Sequence, residues 1–286
     1  MDKRTVVTAV LCAAVALGAS AAMTKVVPAD DGKARGSGKA APRATPSPSA
    51  SQSQSSEQAR RSDGRTPGAS VSPATPGGPV AFAGALFEGG TTDDHYCSAT
   101  VVHSPGRNLI ATAGHCLLAG RAGEGGASFA PAYAGGRAPY GTWKIAEVFE
   151  DPRWSDGTND DYDLAFARLA PDDAGRNVED VTGAAVLDTT GRTDEQVTVT
   201  GYPSHRKDPR TCVSRAVRIS TTEQRFDCAD FPTGTSGSAW IAADGKIIGV
   251  LTGGDTDDVS TSTILTGYAA DLYARATGGA GGGTGR

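Results

Sequence analysis

The chain of 286 residues carries 27 Lys and Arg against 32 Asp and Glu, a net charge of −5, with 38 glycines, 16 prolines and 38% apolar residues. That acidic balance speaks against a nucleic-acid partner, and the lack of any long apolar run beyond the N-terminus speaks against a multi-span membrane protein.

In chain order, Met1-Asp2-Lys3-Arg4 leads into an apolar run from Thr5 to Gly18 and then Ala19-Ser20-Ala21. A basic start, a short apolar stretch and small residues make residues 1–22 a secretory signal peptide, too short for a stable membrane anchor. Residues 23–79 are dominated by Pro, Ser, Gly, Ala and Gln. They lack the large apolar side chains that would offset the entropy of ordering a backbone, and read as a disordered linker or pro-segment. The charge changes at the same boundary: residues 23–79 are +4 and residues 80–286 are −10. Residues 80–277 are long enough for one well-buried domain, and residues 278–286 form a Gly-rich tail.

Within that domain, β-rich runs recur between Gly, Pro and Asp clusters at Ser98–His103, Asn108–Ala113, Trp143–Phe149, Leu164–Leu169, Gln196–Gly201, Val213–Ser220 and Ser260–Tyr268. Their spacing predicts an all-β antiparallel sandwich or barrel. Asp244-Gly245, between the runs 239–243 and 246–251, predicts a tight hairpin whose turn needs positive φ angles. Ala269, Leu272, Tyr273 and Ala276 recur at helical spacing and predict one C-terminal helix.

Cys12 falls in the signal peptide, which leaves Cys97, Cys116, Cys212 and Cys228. An even number in an exported chain points to two disulfides. Three pairings are possible, and proximity in sequence favours Cys97–Cys116 with Cys212–Cys228. No Cys or His spacing suggests zinc, and the acidic runs around Asp156, Asp160 and Asp161 and around Asp255, Asp257 and Asp258 match no regular calcium loop. No metal or cofactor is expected.

Three segments offer what acyl transfer needs. His115 follows a strand and adjoins Cys116, so a general base there would be held still. Asp163 opens an apolar strand and could orient an imidazole. Ser236 lies in Thr233-Gly234-Thr235-Ser236-Gly237-Ser238, where flanking glycines allow a tight turn. There the N–H groups of Gly234 and Ser236 could converge on an oxyanion. The order His, Asp, Ser and the Ser238 two residues after the nucleophile both disagree with the α/β-hydrolase pattern. His95, His103 and His205 are expected at the surface or in loops.

With T-A-G-H-C at 112–116, D-L-A at 163–165 and G-T-S-G-S at 234–238, the stretch from about Val80 to Thr277 resembles the trypsin/chymotrypsin family, in a form similar to its bacterial glutamyl-endopeptidase branch. The resemblance implies two packed six-stranded antiparallel barrels with a C-terminal helix. It also implies a His115, Asp163 and Ser236 triad acting through an acyl-enzyme, with the oxyanion hole at Gly234 and Ser236. The protein would then be a secreted, extracellular monomer, in solution or at the cell surface, acting on peptides or proteins. The alternative is a non-catalytic binding module on the same fold.

Three departures matter. Thr235 stands where many members carry the aspartate that receives a new N-terminal amine. Phe231 and Leu251 stand where the glutamyl branch has a threonine and a histidine that recognise glutamate. By position, Asp230 would be the acid that attracts Arg or Lys, Thr252 would lie on the substrate-pairing strand, and Gly254 on the pocket wall.

Overall fold

A computed structural model of the protein describes residues 70–73 as backbone and residues 81–90, 94–117, 126–157 and 159–278. All of them belong to the unit Ser62–Arg286. The signal peptide, most of the proposed linker and the tail beyond residue 278 lie outside the described residues.

Among the described residues, fifteen strands are arranged in two sheets. The first strand, β1 (Ser70–Pro73), falls inside the stretch read from composition as a linker. The first barrel comprises β2 (Ala83–Phe87), β3 (His95–Val102), β4 (Leu109–Thr112), β5 (Ser128–Pro131), β6 (Trp143–Glu150) and β7 (Ala165–Leu169). It closes in the order β2-β3-β4-β7-β6-β5, entirely antiparallel. Trp143, Phe129, Leu86, Val101, Ile110 and Ile145 fill its interior, each fully buried.

The second sheet uses β8 (Val186–Leu187), β9 (Gln196–Gly201), β10 (Arg210–Arg215), β11 (Val217–Arg218), β12 (Glu223–Asp227), β13 (Ala239–Ala242), β14 (Lys246–Thr256) and β15 (Val259–Thr263). Its order is β1-β10-β9-β13-β14-β15-β12-β11, with β8 beside β14. This sheet curls into a half-barrel without closing through hydrogen bonds. The disulfide between Cys212 on β10 and Cys228, just past β12, bridges the gap instead. Phe226, Trp240, Val199 and Ile248 pack beneath it. Cys97–Cys116 staples the first barrel. In the chain-entropy picture, loops of this length contribute about 3 kcal/mol each. Both pairings are those favoured by proximity.

The C-terminal helix, Gly267–Ala276, follows the predicted period. Ala269, Leu272 and Ala276 are buried against Leu109, Phe166, Ile247 and Val250, so one apolar cluster draws on both sheets and the helix. Tyr273 donates to the carbonyl of His103 at 2.7 Å.

Local differences from the sequence reading have local causes. In the 242–246 turn only Gly245 has positive φ, 80°, and its N–H donates to the Ala242 carbonyl. The connection is therefore a three-residue loop ending in a left-handed glycine, not a two-residue turn. The 213–220 run breaks at Ala216, whose N–H turns to the Glu195 carbonyl. The 260–268 run ends at Thr263, and helix begins at Gly267. Strand β1 pairs along β10, Ser70 opposite Val213, where an edge offers free backbone groups regardless of side-chain size.

His95 is not a surface residue. It is 4% exposed, packed against Phe87, Tyr133 and Tyr202, and its Nε2 donates to the Pro203 carbonyl at 2.9 Å. His103 pairs through Nδ1 with the buried Glu179 at 2.6 Å, and His205 is exposed on a loop. Burial holds the His95 pKa below its ordinary value, outweighing the carbonyl that favours its charged form. The unfolded chain therefore takes up this proton first, so the stability from a neutral His95 is complete above about pH 6.5 and is lost as pH falls below it. Urea midpoints measured from pH 8 to 5.5 should decline in the wild type and decline less in His95→Gln; identical slopes would show that His95 does not contribute.

Candidate active site

After β4, Thr112-Ala113-Gly114 turns the chain into a 3-10 helix, Gly114–Leu117, which carries His115. Gly114 is required there because a Cβ would overlap the Trp154 ring and the Asp163 carboxylate. That space lets Asp163, 4% exposed at the mouth of β7, reach His115 twice. Its Oδ1 accepts from the His115 backbone N–H at 2.8 Å, and its Oδ2 lies 2.7 Å from Nδ1. Two bonds to one carboxylate fix both the backbone and the ring, placing the proton on Nδ1 and leaving the Nε2 lone pair outward. The neighbouring Cys116 is tied to Cys97 on β3.

Charge around the pair is concentrated. Burial, aided by the Asp163 charge, raises the pKa of Glu150. Burial also raises the Tyr268 phenol, which exchanges a 2.8 Å hydrogen bond with Thr263. Cys97, His115 and Cys116 come close enough together to suggest a metal site, but both sulfurs are consumed by the disulfide.

Across from His115 lies the loop bearing Ser236. Two cavities meet here. One, about 530 Å³, is lined by His115, Asp163, Trp154 and Thr252; the other, about 270 Å³, by Ser236, Phe231, Pro232 and Leu251. Gly253, Gly254 and Asp255 line both. Among the described residues no hydrogen bond joins Ser236 Oγ to His115; such contacts commonly tighten only when substrate is bound. Thr252 and Gly254 thus lie along the groove, and a Cβ on Gly254 would overlap the Val259 carbonyl.

Asp230 is placed elsewhere. It does not line the cavity beside Ser236. Its carboxylate is drawn to Arg206 at 2.7 Å and Arg210 at 3.0 Å, where it pins the 203–210 loop, and its φ is 70°. Two guanidiniums outcompete any pocket role. Besides Asp163, the acids that line the cavities are Asp160, Glu223, Asp255 and Asp257, none of which makes a salt bridge with a lysine or arginine among the described residues.

Sequence reasoning missed Ser98. This fully buried residue of β3 donates through Oγ to the Gly234 carbonyl at 2.9 Å and accepts there from the Tyr202 N–H at 2.9 Å. Its N–H donates to the Ser236 carbonyl at 2.7 Å, and its carbonyl accepts from Thr112 Oγ1 at 2.7 Å. The only signal in the sequence was its place next to Cys97; the bond to Gly234 crosses 136 residues.

Comparison with known proteins agrees with this architecture. The family described as trypsin-like peptidase domain matches residues 97–250, more than half of the chain. None of the curated protein sequences matches. Among solved structures, the protease Anisep from Arthrobacter nicotinovorans is 24% identical, covering 73% of this chain and all of that one at a TM-score of 0.63. A thermostable serine protease, AL20, from an extremophilic microorganism is 25% identical over 70% of this chain and 98% of its own, at 0.61. A Glu endopeptidase is 17% identical over 73% and 96%, at 0.59. The closed barrel, the curled partner sheet, the terminal helix and the family match together establish that this chain belongs to the trypsin-like peptidase domain family and is a serine endopeptidase.

Proposed function

We propose that the protein is a secreted endopeptidase in which Ser236 is the nucleophile, His115 the general base and acid, and Asp163 the group that orients His115. The observation that carries this reading is the pair of hydrogen bonds that His115 donates to Asp163, which leaves Nε2 free at the edge of a groove that His115 lines and that shares Gly253, Gly254 and Asp255 with the Ser236 cavity. Nε2 takes the Ser236 proton as Oγ attacks the scissile carbonyl, and the Asp163 carboxylate stabilises the imidazolium formed. The N–H groups of Gly234 and Ser236 receive the oxyanion. As the tetrahedral intermediate collapses, the C–N bond breaks, His115 returns the proton to the leaving amine, and Ser236 holds the acyl group as an ester. Water, deprotonated by His115, then hydrolyses that ester and frees the enzyme. Two disulfides and the leader-like N-terminus support export to an oxidising compartment.

The substrate class follows from the groove. Phe231 and Leu251, 4% and 3% exposed, give the Ser236 cavity apolar walls in place of the polar pair that would hold a glutamate. Among the described residues Asp160, Glu223, Asp255 and Asp257 make no salt bridge, and the nearby Arg225 is committed to Asp227 at 2.7 and 2.9 Å. Elsewhere on the surface acids are taken up by arginines, as at Asp188 with Arg192 and Asp172 with Arg176. Unneutralised carboxylates along a groove attract cationic peptides, and the attraction weakens with salt.

Two outcomes are expected. A serine-directed phosphonate should label wild-type protein at Ser236, and Ser236→Ala should lose both labelling and peptide cleavage; cleavage retained by a folded Ser236→Ala would refute the assignment. In a mixed peptide library, sequences with Arg or Lys on the acyl side of the cut should be preferred over those with Glu. Asp255→Asn with Glu223→Gln should reduce that preference roughly three- to tenfold. Asp230→Ala should instead leave it unchanged while lowering stability by about 1 kcal/mol through loss of a half-exposed ion pair. A preference that collapses in Asp230→Ala alone would restore Asp230 as the selecting acid.

A further inference from the structure

The backbone of the Ser236 loop can be accounted for group by group, because each buried amide must find a partner or have a use for being free. The carbonyl of Pro232 accepts from Thr235 N–H at 3.1 Å. The carbonyl of Thr233 accepts from Ser204 N–H at 3.0 Å and from Ser204 Oγ at 3.2 Å. The carbonyl of Gly234 accepts from Ser98 Oγ, that of Thr235 from Ser238 Oγ at 2.7 Å, and that of Ser236 from Ser98 N–H. All five carbonyls are occupied. From Gly234 to Ser238, the N–H groups of Thr235, Gly237 and Ser238 donate within the protein, to Pro232, Leu251 and Thr235. Among the described residues, those of Gly234 and Ser236 do not.

A trans peptide is planar, with its C=O and N–H pointing to opposite sides. Fixing a carbonyl therefore aims the N–H that follows it. Ser204, by holding the Thr233 carbonyl, aims the Gly234 N–H away from the 203–208 loop. Ser98 takes the next carbonyl, that of Gly234, so the peptides on both sides of Gly234 are held, and Ser238, by holding the Thr235 carbonyl, aims the Ser236 N–H in the same way. Gly234 itself sits at φ 99°, and a Cβ there would overlap Ser204 N and the Tyr202 carbonyl. Gly237, at φ 87°, lies so close to Ser98 and Thr112 that no side chain fits.

Resting on the endopeptidase reading above, we infer that Ser98 and Ser204 are positioning residues: by neutral hydrogen bonds alone they hold the Gly234 N–H, and the loop whose Ser238 aims the Ser236 N–H, toward the oxyanion. Thr235 belongs to the same device. It is 1% exposed, and its hydroxyl closes back on the Pro232 carbonyl at 2.7 Å, so the position where an aspartate would wait for an amine is already satisfied locally.

The test separates positioning from simple structural support. Ser98→Ala removes the hydroxyl and keeps the N–H. Assayed well below its melting temperature, it should lose roughly ten- to a hundredfold in kcat with KM changed less than about threefold. A peptide boronate, whose tetrahedral adduct places an oxygen in the hole, should lose affinity by the same factor, while an uncleavable substrate-like peptide should bind as to the wild type. Ser98→Thr, which retains the hydroxyl, should recover most of the activity. Ser204→Pro, which deletes the N–H aimed at Thr233 from an exposed loop, should show the same split and serves if Ser98→Ala does not fold. Full kcat in folded Ser98→Ala or Ser204→Pro, or equal losses for boronate and substrate-like peptide, would overturn the inference. A wild-type protein that neither cleaves peptides nor reacts at Ser236 would instead remove the endopeptidase reading on which it rests.

Discussion

Two consecutive residues of β3, Cys97 and Ser98, join the parts of the site that the chain keeps far apart. Cys97 reaches through its disulfide to Cys116, beside His115. Ser98 reaches through its hydroxyl and its N–H to Gly234 and Ser236. The turn that carries His115 belongs to the first barrel and the loop that carries Ser236 to the second sheet, so the pair acts as a rivet between them. The inter-sheet cluster around Leu109, Phe166, Val250 and Leu272 supplies the bulk of the adhesion. Apolar packing is non-directional, however, and the rivet sets the register.

The electrostatics divide along the same line. The backbone of the nucleophile loop is held by hydroxyls and amides, with Thr235 in place of an acid, and its geometry is therefore insensitive to charge nearby. The ionised groups do other work. Asp163 accepts from His115, Asp230 anchors the 203–210 loop through Arg206 and Arg210, and Asp160, Glu223 and Asp255 line the groove without a salt bridge among the described residues.

Much of this was legible in sequence where a residue's role depends on its neighbours in the chain. The strands at 196–201 and 143–150 and the helix at 267–276 follow from periodicity, and both disulfides from proximity. Strand β2, Ala-Gly-Ala-Leu-Phe, was not, because small residues that suit a fully buried strand carry no β signature; β5 contains a proline, and β12 buries Gln224 where alternation calls for an apolar side chain. Gapless counting could assign Asp230 a position but could not see Arg206 and Arg210, which take up its carboxylate. Ser98 and His95 act through carbonyls more than one hundred residues away, and nothing local marks them.

On the proposed reading, the oxyanion hole is built by internal neutral hydrogen bonds and owes nothing to the amine of a processed chain end. The most direct test compares the secreted protein with its α-amine free and with it acetylated, reading the second-order rate of Ser236 phosphonylation at pH 7. Rates equal within about twofold are predicted; a hundredfold loss on acetylation would show that an amine completes the site and would contradict the account.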